Sequence, residues 1–227
     1  NSGDVNQETQ NVVVKVAPVV DVGPGIVLNV VSSSGLNQDY QPISESDDKP
    51  EVVYDNIAYE DATITLDFSA VSFGDTLNTV EGGLETLDSL TIRVDPSMGY
   101  FLDANENEVS VLTLSPAELS HVRFIPAEDF SGQVDITVSG TITDTATYDI
   151  LGGTATDTIT TPDKTVSFDV VAVNDDVKVE TTGNGIQGYE DTEISLAGGS
   201  VTLQDIDGSE HIVSIILTGV PEGFTVI

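Results

Sequence analysis

Residues 134–142 read VDITVSGTI, and apolar and polar residues alternate through most of this stretch. A period of two places successive side chains on opposite faces of an extended chain, which is typical of a β-strand with one buried face. The apolar positions are occupied by Val and Ile, which favour strands. The stretch therefore predicts a half-buried strand rather than a helix.

Similar β-branched runs recur along the whole chain, usually separated by Gly, Asp, Asn or Pro. Many short strands without long helices indicate an all-β protein built from antiparallel sandwiches. One short helix is expected at 115–119, with Ser115 as its N-cap and Glu118 as the capping-box partner. The other predicted strands are residues 12–17, 26–31, 62–68, 90–94, 109–114, 121–125, 165–173, 193–196, 211–217 and 224–227.

The chain also repeats itself weakly. AYEDATITL (58–66) matches GYEDTEISL (188–196), and SLTIRVDPSMGYF (89–101) matches SIILTGVPEGFTV (214–226). Two matches in the same order indicate two copies of one module, which predicts sandwiches arranged in tandem.

The linkers of the two copies correspond as well, since VKVAPVVD (14–21) resembles DVVAVNDD (169–176). Copy one carries a polar insert at 32–56, which we expect to be a solvated loop or, alternatively, a binding loop grafted onto the sandwich. The expected parts are the last strand of a preceding domain or a linker (1–17), a complete β-sandwich (18–173) and the first part of a second β-sandwich (174–227).

The composition is strongly acidic, with 39 Asp and Glu against 6 Lys and Arg and a formal net charge of -33. Nucleic-acid binding requires a basic footprint, so this class of partner is excluded, and anionic membrane surfaces are disfavoured for the same reason. No apolar run is long enough to span a membrane, so no membrane insertion is expected. Hydrophobic residues make up 39% of the chain, which argues against a disordered acidic tail.

The acids cluster in short segments, most clearly in LQDIDGSEH (203–211), where Asp205, Asp207 and Glu210 fall within six residues. One interpretation is a solvated turn whose Asp and Ser side chains cap backbone N–H groups. The other is a loop that binds cations, which would cancel part of the repulsion. The chain contains no cysteine, so a secreted protein of this composition would need another staple, such as a metal.

Sandwich topology brings further acids toward the same place. The loop before the second strand and the loop between the fifth and sixth strands of copy one both lie at the end that faces the linker. The loop between the second and third strands of copy two faces the linker from the other side. The predicted ligands at this junction are Glu60, Asp61, Asp129, Asn174, Asp175, Asp176, Asp205, Asp207 and Glu210, with Glu128 beside them.

The ligand chemistry of this junction favours calcium. Calcium takes six to eight oxygen ligands from carboxylates, amides and backbone carbonyls at flexible angles, whereas magnesium demands stricter geometry. Zinc is disfavoured because the chain has no Cys and only two His. The loop at 203–211 has neither the ligand spacing nor the flanking helices of an EF-hand.

Four stretches of the chain are similar to one protein family: EDTEISL, LQDIDGSEH and SIILTGVPEGFTV in copy two, and LSPAELSHVRFIPAEDFSGQVDITVSGTITD in copy one. They resemble the repeats-in-toxin adhesins. These are giant bacterial surface proteins that are exported by type I secretion. The resemblance implies immunoglobulin- or cadherin-like sandwiches in tandem, with calcium at the linkers and neighbouring domains of the same adhesin as partners. It also implies a secreted, cell-surface location and a monomeric, non-catalytic role in adhesion and biofilm formation.

Two functions remain open from the residues. The first is a calcium-stiffened segment that extends or positions a ligand-binding tip. The second is a ligand-binding module that takes sugar or peptide through calcium, with a host-cell or surface ligand as the partner. The Thr-rich stretch 141–161 could form a flat threonine face, although Thr is also common on exposed strands. An enzyme is not expected, because the chain has no nucleophile-elbow or phosphate-loop motif.

Overall fold

The fold consists of strands and turns. The computed structural model describes residues 20, 25–43, 49–72, 84–147, 153–175, 177–181, 189, 192–193, 199–203, 208, 210–216, 218 and 222. Within these residues there is no helix, and therefore none that could span a membrane. The prediction of an all-β protein with antiparallel sheets is confirmed.

Most of the strands form two six-stranded sheets. The first has the order β10-β7-β12-β14-β4, with β13 also paired to β12, and the second has the order β3-β2-β5-β11-β8-β9. The smaller pairs are β1-β6 and β15-β16. The bounds are β1 (Gly25–Ile26), β2 (Asn29–Asn37), β3 (Glu51–Asp55), β4 (Ala58–Tyr59), β5 (Thr63–Asp67), β6 (Val71–Ser72), β7 (Leu84–Val94), β8 (Gly99–Leu102), β9 (Glu108–Val109), β10 (Val111–Leu114), β11 (Val122–Pro126), β12 (Gly132–Thr147), β13 (Thr154–Thr160), β14 (Lys164–Val171), β15 (Val177–Thr181) and β16 (Gly199–Leu203).

The core is formed by the alternating apolar residues of both large sheets. On β12, the side chains of Val134, Ile136 and Val138 are fully buried, as the alternation of apolar and polar residues in 134–142 predicts. The second sheet contributes Phe101 and Phe124, whose rings meet edge to face with centroids 5.6 Å apart. Because each sheet buries one face against the other, two layers suffice to exclude water from the interior.

The expected helix at 115–119 is wrong, since residues 116–120 form a turn. The capping contact nevertheless forms, because the Ser115 amide donates to the Glu118 carboxylate over 2.8 Å. A single helical turn is not stable by itself. The Leu119 carbonyl instead accepts the Phe68 amide hydrogen at 2.8 Å, which ties the turn to the end of β5.

The insert at 32–56 is not simply a solvated loop, because its two ends belong to strands. β2 and β3 pair in an antiparallel register, with Ser33 opposite Tyr54 and Leu36 opposite Val52. Leu36 is fully buried. Burial of this leucine outweighs the local preference of Ser, Gly and Asn for loops.

Part of the Thr-rich stretch 141–161 lies in the paired strands β12 and β13, on which threonines lie opposite one another. Thr143 lies opposite Thr158, and Thr145 lies opposite Thr156. By contrast, the predicted strand at 211–217 does not form within its described part, residues 211–216. Val213 is 85% exposed there, and a strand needs a hydrogen-bonded neighbour that the described residues do not supply. Of the other predicted strands, 12–17 and 224–227 lie wholly outside the described residues, and so does most of 193–196.

Candidate functional site

The linker leaves the first sheet at the end of β14. β14 runs parallel to β4, with Val171 opposite Tyr59. The ladder continues by one bond beyond the strand, because the Glu60 amide donates to the Val171 carbonyl at 3.1 Å. This pairing holds the turn after β4 beside the first residues of the linker.

Glu60 contacts the linker through its side chain. The residue is only 2% exposed, and its Oε1 atom accepts the amide hydrogen of Val173. A buried carboxylate is costly unless donors surround it, so this bond is important for Glu60 to remain in place. Asp61, the next residue, adopts a left-handed backbone conformation with φ of 58°, which Asp tolerates better than most residues.

A carboxylate of copy two contacts the same linker. Glu210 follows the acidic loop of copy two, and its Oε1 atom accepts the Asp175 amide hydrogen at 2.6 Å. The backbone amides of Val173 and Asp175, on either side of Asn174, thus each donate to a carboxylate, one from each copy. Of the predicted ligands, Glu60 and Glu210 contact the backbone of the residues that flank Asn174.

The predicted position of Asp129 agrees with the sheet registers. Its loop joins β11, in which Phe124 lies opposite Ile64, to β12, in which Gly132 lies opposite Val170. Both registers place this loop at the end of the sandwich where the linker leaves. Asp129 also has a left-handed conformation, with φ of 54°. The remaining predicted ligands Asp176, Asp205 and Asp207 lie outside the described residues.

The donor set at the linker suits a hard cation in type, because it consists of carboxylate, amide and carbonyl oxygens. In number it is incomplete within the described residues, where no three His, Cys, Asp or Glu side chains are close enough to share one metal ion. A complete calcium shell would need oxygens in addition to those of the described carboxylates. Calcium at this junction therefore stays a prediction.

A second feature of this end, which the sequence interpretation missed, is a cluster of three tyrosines. Tyr40 stacks on Tyr54 with centroids 5.0 Å apart, and Tyr59 contacts both rings at 5.2 Å. Burial raises the pKa of the Tyr59 phenol, and the neighbouring Tyr40 adds to the effect. Three of the six tyrosines of the chain lie between residues 40 and 59, and this enrichment is the signal that could have found the cluster.

A cavity of about 200 Å³ opens between this cluster and the linker. Gln41 fixes the insert to the linker by donating from Nε2 to the Asn174 carbonyl. The insert therefore supplies two of the six lining residues of the cavity, and the end of the sandwich and the linker supply the other four. The lining consists of Asp39, Tyr40, Tyr59, Ala172, Val173 and Asn174.

Comparison of the chain with known protein families, with curated proteins and with solved structures finds no match in any of the three.

Proposed function

We propose that this chain is a calcium-stiffened structural segment of a secreted bacterial cell-surface adhesin. In this proposal the sandwiches are immunoglobulin- or cadherin-like and stand in tandem, and the segment extends or positions a ligand-binding tip for adhesion and biofilm formation. The segment is monomeric and non-catalytic, and its partners are the neighbouring domains of the same adhesin. The resemblance to the repeats-in-toxin adhesins and the geometry of the linker support it.

The observation that carries the proposal is the pair of carboxylates on the linker. Glu60 of copy one accepts the Val173 amide hydrogen, and Glu210 of copy two accepts the Asp175 amide hydrogen. A linker that is bonded to both of its neighbours has fewer conformations than a free connection. The orientation of the linker is then set by acidic side chains. A cation bound to these side chains would therefore influence that orientation directly.

The charge of the chain gives such a cation a function. With a net charge of -33, the carboxylates of the chain repel each other, and repulsion opposes the compact arrangement. A bound calcium ion would neutralise part of that charge. Glu60 and Glu210 would orient the linker, while Asn174 and the acids of 203–211 would supply further oxygens.

The energetic consequence follows from binding linkage. Extracellular calcium modules bind the ion with a Kd of roughly 10⁻⁴–10⁻³ M. At ten times Kd, one site that exists only in the folded state adds about 1.4 kcal/mol to the free energy of unfolding. Several sites would therefore change the stability and the flexibility of the segment between low-calcium and high-calcium surroundings.

The test is thermal unfolding in EDTA and in millimolar calcium, together with small-angle scattering under both conditions. Wild type should gain stability with calcium and become more extended. Glu210→Gln keeps a side-chain oxygen that can accept the Asp175 amide hydrogen but removes the charge, so its calcium-dependent gain should shrink. Asp205→Asn/Asp207→Asn should shrink it too.

The matched control is Glu222→Gln, which removes one exposed acid from the same copy. Its calcium response should equal that of wild type. If wild type shows neither a stability gain nor a change in scattering with calcium, the proposed function is wrong.

A further inference from the structure

The cavity beside the tyrosine cluster combines ring surfaces with hydrogen-bonding groups. Tyr40 and Tyr59 contribute aromatic walls, and Asp39 and Asn174 contribute a carboxylate and an amide. At about 200 Å³ it is smaller than the roughly 300–1,000 Å³ of sites for drug-sized ligands. It therefore has room for one small ring or for the end of a chain.

Tyr40 lies at this cavity at a conformational cost. Its φ is 63°, a left-handed value that bulky residues rarely adopt, and the side chain is 40% exposed. Strained residues of this kind persist when the surroundings hold them, and they concentrate at functional sites. An exposed aromatic ring that is kept in a strained conformation is better suited to contacting a ligand than to packing a core.

The residue that holds this conformation is Asn37, which is 3% exposed. Its Oδ1 atom accepts the amide hydrogens of Asp39 at 2.8 Å and of Gln41 at 3.2 Å. Its carbonyl accepts the Tyr54 hydroxyl at 2.7 Å. The Asn37 side chain thereby fixes the turn, and its backbone carbonyl fixes the Tyr54 ring beneath Tyr40, so the cavity wall is preorganised.

The charges at the cavity indicate what kind of ligand it takes. Asp39 already forms an ion pair with Lys49, so its charge is compensated within the chain. A second cation would have to compete with that lysine. A neutral ligand with hydroxyl groups can instead donate to the Asp39 carboxylate and exchange hydrogen bonds with the phenols and the Asn174 amide.

We propose that this cavity is a carbohydrate site that takes one neutral sugar ring. The apolar face of the ring packs on Tyr40, and its hydroxyls bond to Asp39, Asn174 and the tyrosine hydroxyls. Such a site makes the segment a binder in its own right, which goes beyond a role in extension. It requires stacking and hydrogen bonds from the chain and no metal ion.

The experiment uses the whole chain in EDTA. Sugar binding is then measured without metal ions, so its outcome can be interpreted even if the calcium proposal fails. Methyl α-D-glucopyranoside, methyl α-D-mannopyranoside and methyl α-D-galactopyranoside are each added at millimolar concentration. Saturation-transfer NMR detects binding, and calorimetry measures the affinity. Tetramethylammonium is tested in parallel, because a cage of tyrosines would bind this cation without any hydroxyl.

We expect at least one glycoside to bind, with saturation at its ring C–H protons. Tyr40→Ala should weaken that binding by about tenfold, because it removes the stacked ring, whereas Tyr40→Phe should retain most of it. The matched control is Tyr189→Ala, which removes an 86% exposed tyrosine from copy two and should change nothing. The thermal unfolding curve of each variant shows whether the fold is intact.

Three outcomes would overturn the proposal. The first is that no glycoside binds wild type in EDTA. The second is that tetramethylammonium binds and the glycosides do not, which would make the cavity a cation cage. The third is glycoside binding that appears only with calcium or that survives Tyr40→Ala in a folded variant, because the ring would then not be held by stacking.

Discussion

Glu60 and Val173 are 113 positions apart in the chain, yet the carboxylate of the first accepts the amide hydrogen of the second. The bond joins the turn after β4 to the residue at which the sandwich ends. Both residues are buried. The linker is therefore anchored by a polar contact that the interior of the domain shields from water, and such contacts are stronger than exposed ones.

Removal of the Glu60 carboxylate should destabilise the fold of the two large sheets. Glu60→Ala leaves the buried Val173 amide without this acceptor, which costs about 1–3 kcal/mol. Urea denaturation measures the loss. Asp55→Ala, which removes an exposed acid from β3, is the control and should change the free energy of unfolding little. Equal effects of the two variants would show that the Glu60 bond contributes nothing.

Gly99 should be intolerant of a side chain. Its φ is 144°, and an added Cβ atom would lie 2.4 Å from the Ile125 carbonyl oxygen and 2.5 Å from the Phe124 ring. Gly132 also has a positive φ, 113°, but has open space around that position. Gly99→Ala should therefore cost about 1–3 kcal/mol more than Gly132→Ala in chemical denaturation, since only the first overpacks the core. Similar losses would mean that backbone strain alone is responsible.

The contribution of Asp103 to the free energy of unfolding should decrease at acid pH. Hydrogen bonds from the Asn107 side chain, and then from the Asn107 and Asn105 amides, lower the pKa of this carboxyl below its ordinary value of 3.8. The folded state thus favours the ionised form. The stability contribution is present above pH 3.8 and is lost as the pH falls through the lower, folded-state pKa.

NMR titration of the Asp103 carboxyl carbon should give a midpoint below 3.8. The stability difference between wild type and Asp103→Ala should narrow as the solution is acidified through that midpoint. Gln133→Ala, at an exposed and uncharged position of β12, should show no such narrowing. A midpoint at or above the ordinary value would contradict the prediction.

Replacement of Asp144 should stabilise the protein. This residue of β12 is 6% exposed, and within the described part of the chain its Oδ1 atom has no hydrogen-bond partner. It lies opposite Glu85 on one side and Asp157 on the other. Asp144→Val removes a buried charge and two repulsive cross-strand pairs, so we expect a gain of about 1 kcal/mol.

The control for this variant is Asp135→Val, which makes the same exchange at an exposed position of the same strand. Comparison with this control corrects the measured change in the free energy of unfolding for the higher strand preference of Val. Thermal and urea unfolding in EDTA measure both variants. If Asp144→Val is no more stable than Asp135→Val, the buried carboxylate is compensated by contacts elsewhere.

Local patterns in the sequence were sufficient to predict the all-β fold class. Alternation in 134–142 predicted β12 because burial on one face leaves a period of two. Sandwich topology predicted that Glu60 and Glu210 lie at the linker, because their loops lie at the ends of the two copies that face it. In each case the prediction followed from a local pattern or from the order of the strands.

Contacts between distant segments could not be predicted in this way. The insert is rich in Ser and Asp, so its composition suggested a loop, but burial of Leu36 and the Tyr54–Asn37 bond fold it into strands. At 115–119 the predicted capping contact formed, while the hydrogen-bond partner of Leu119 lay 51 residues earlier, at Phe68. Tertiary partners decided both structures, and no local pattern records them.

The arrangement of β14 also determines how the sandwich would respond to force. This last strand pairs with β12 over seven positions and with β4 on its other edge, and Glu60 is bonded to the residue beyond its end. A tensile load applied through the linker would act along the strand and across all of these bonds in parallel. The bonds would have to shear together instead of opening one after another. Mechanical resistance is thus concentrated at the point where the chain leaves the domain.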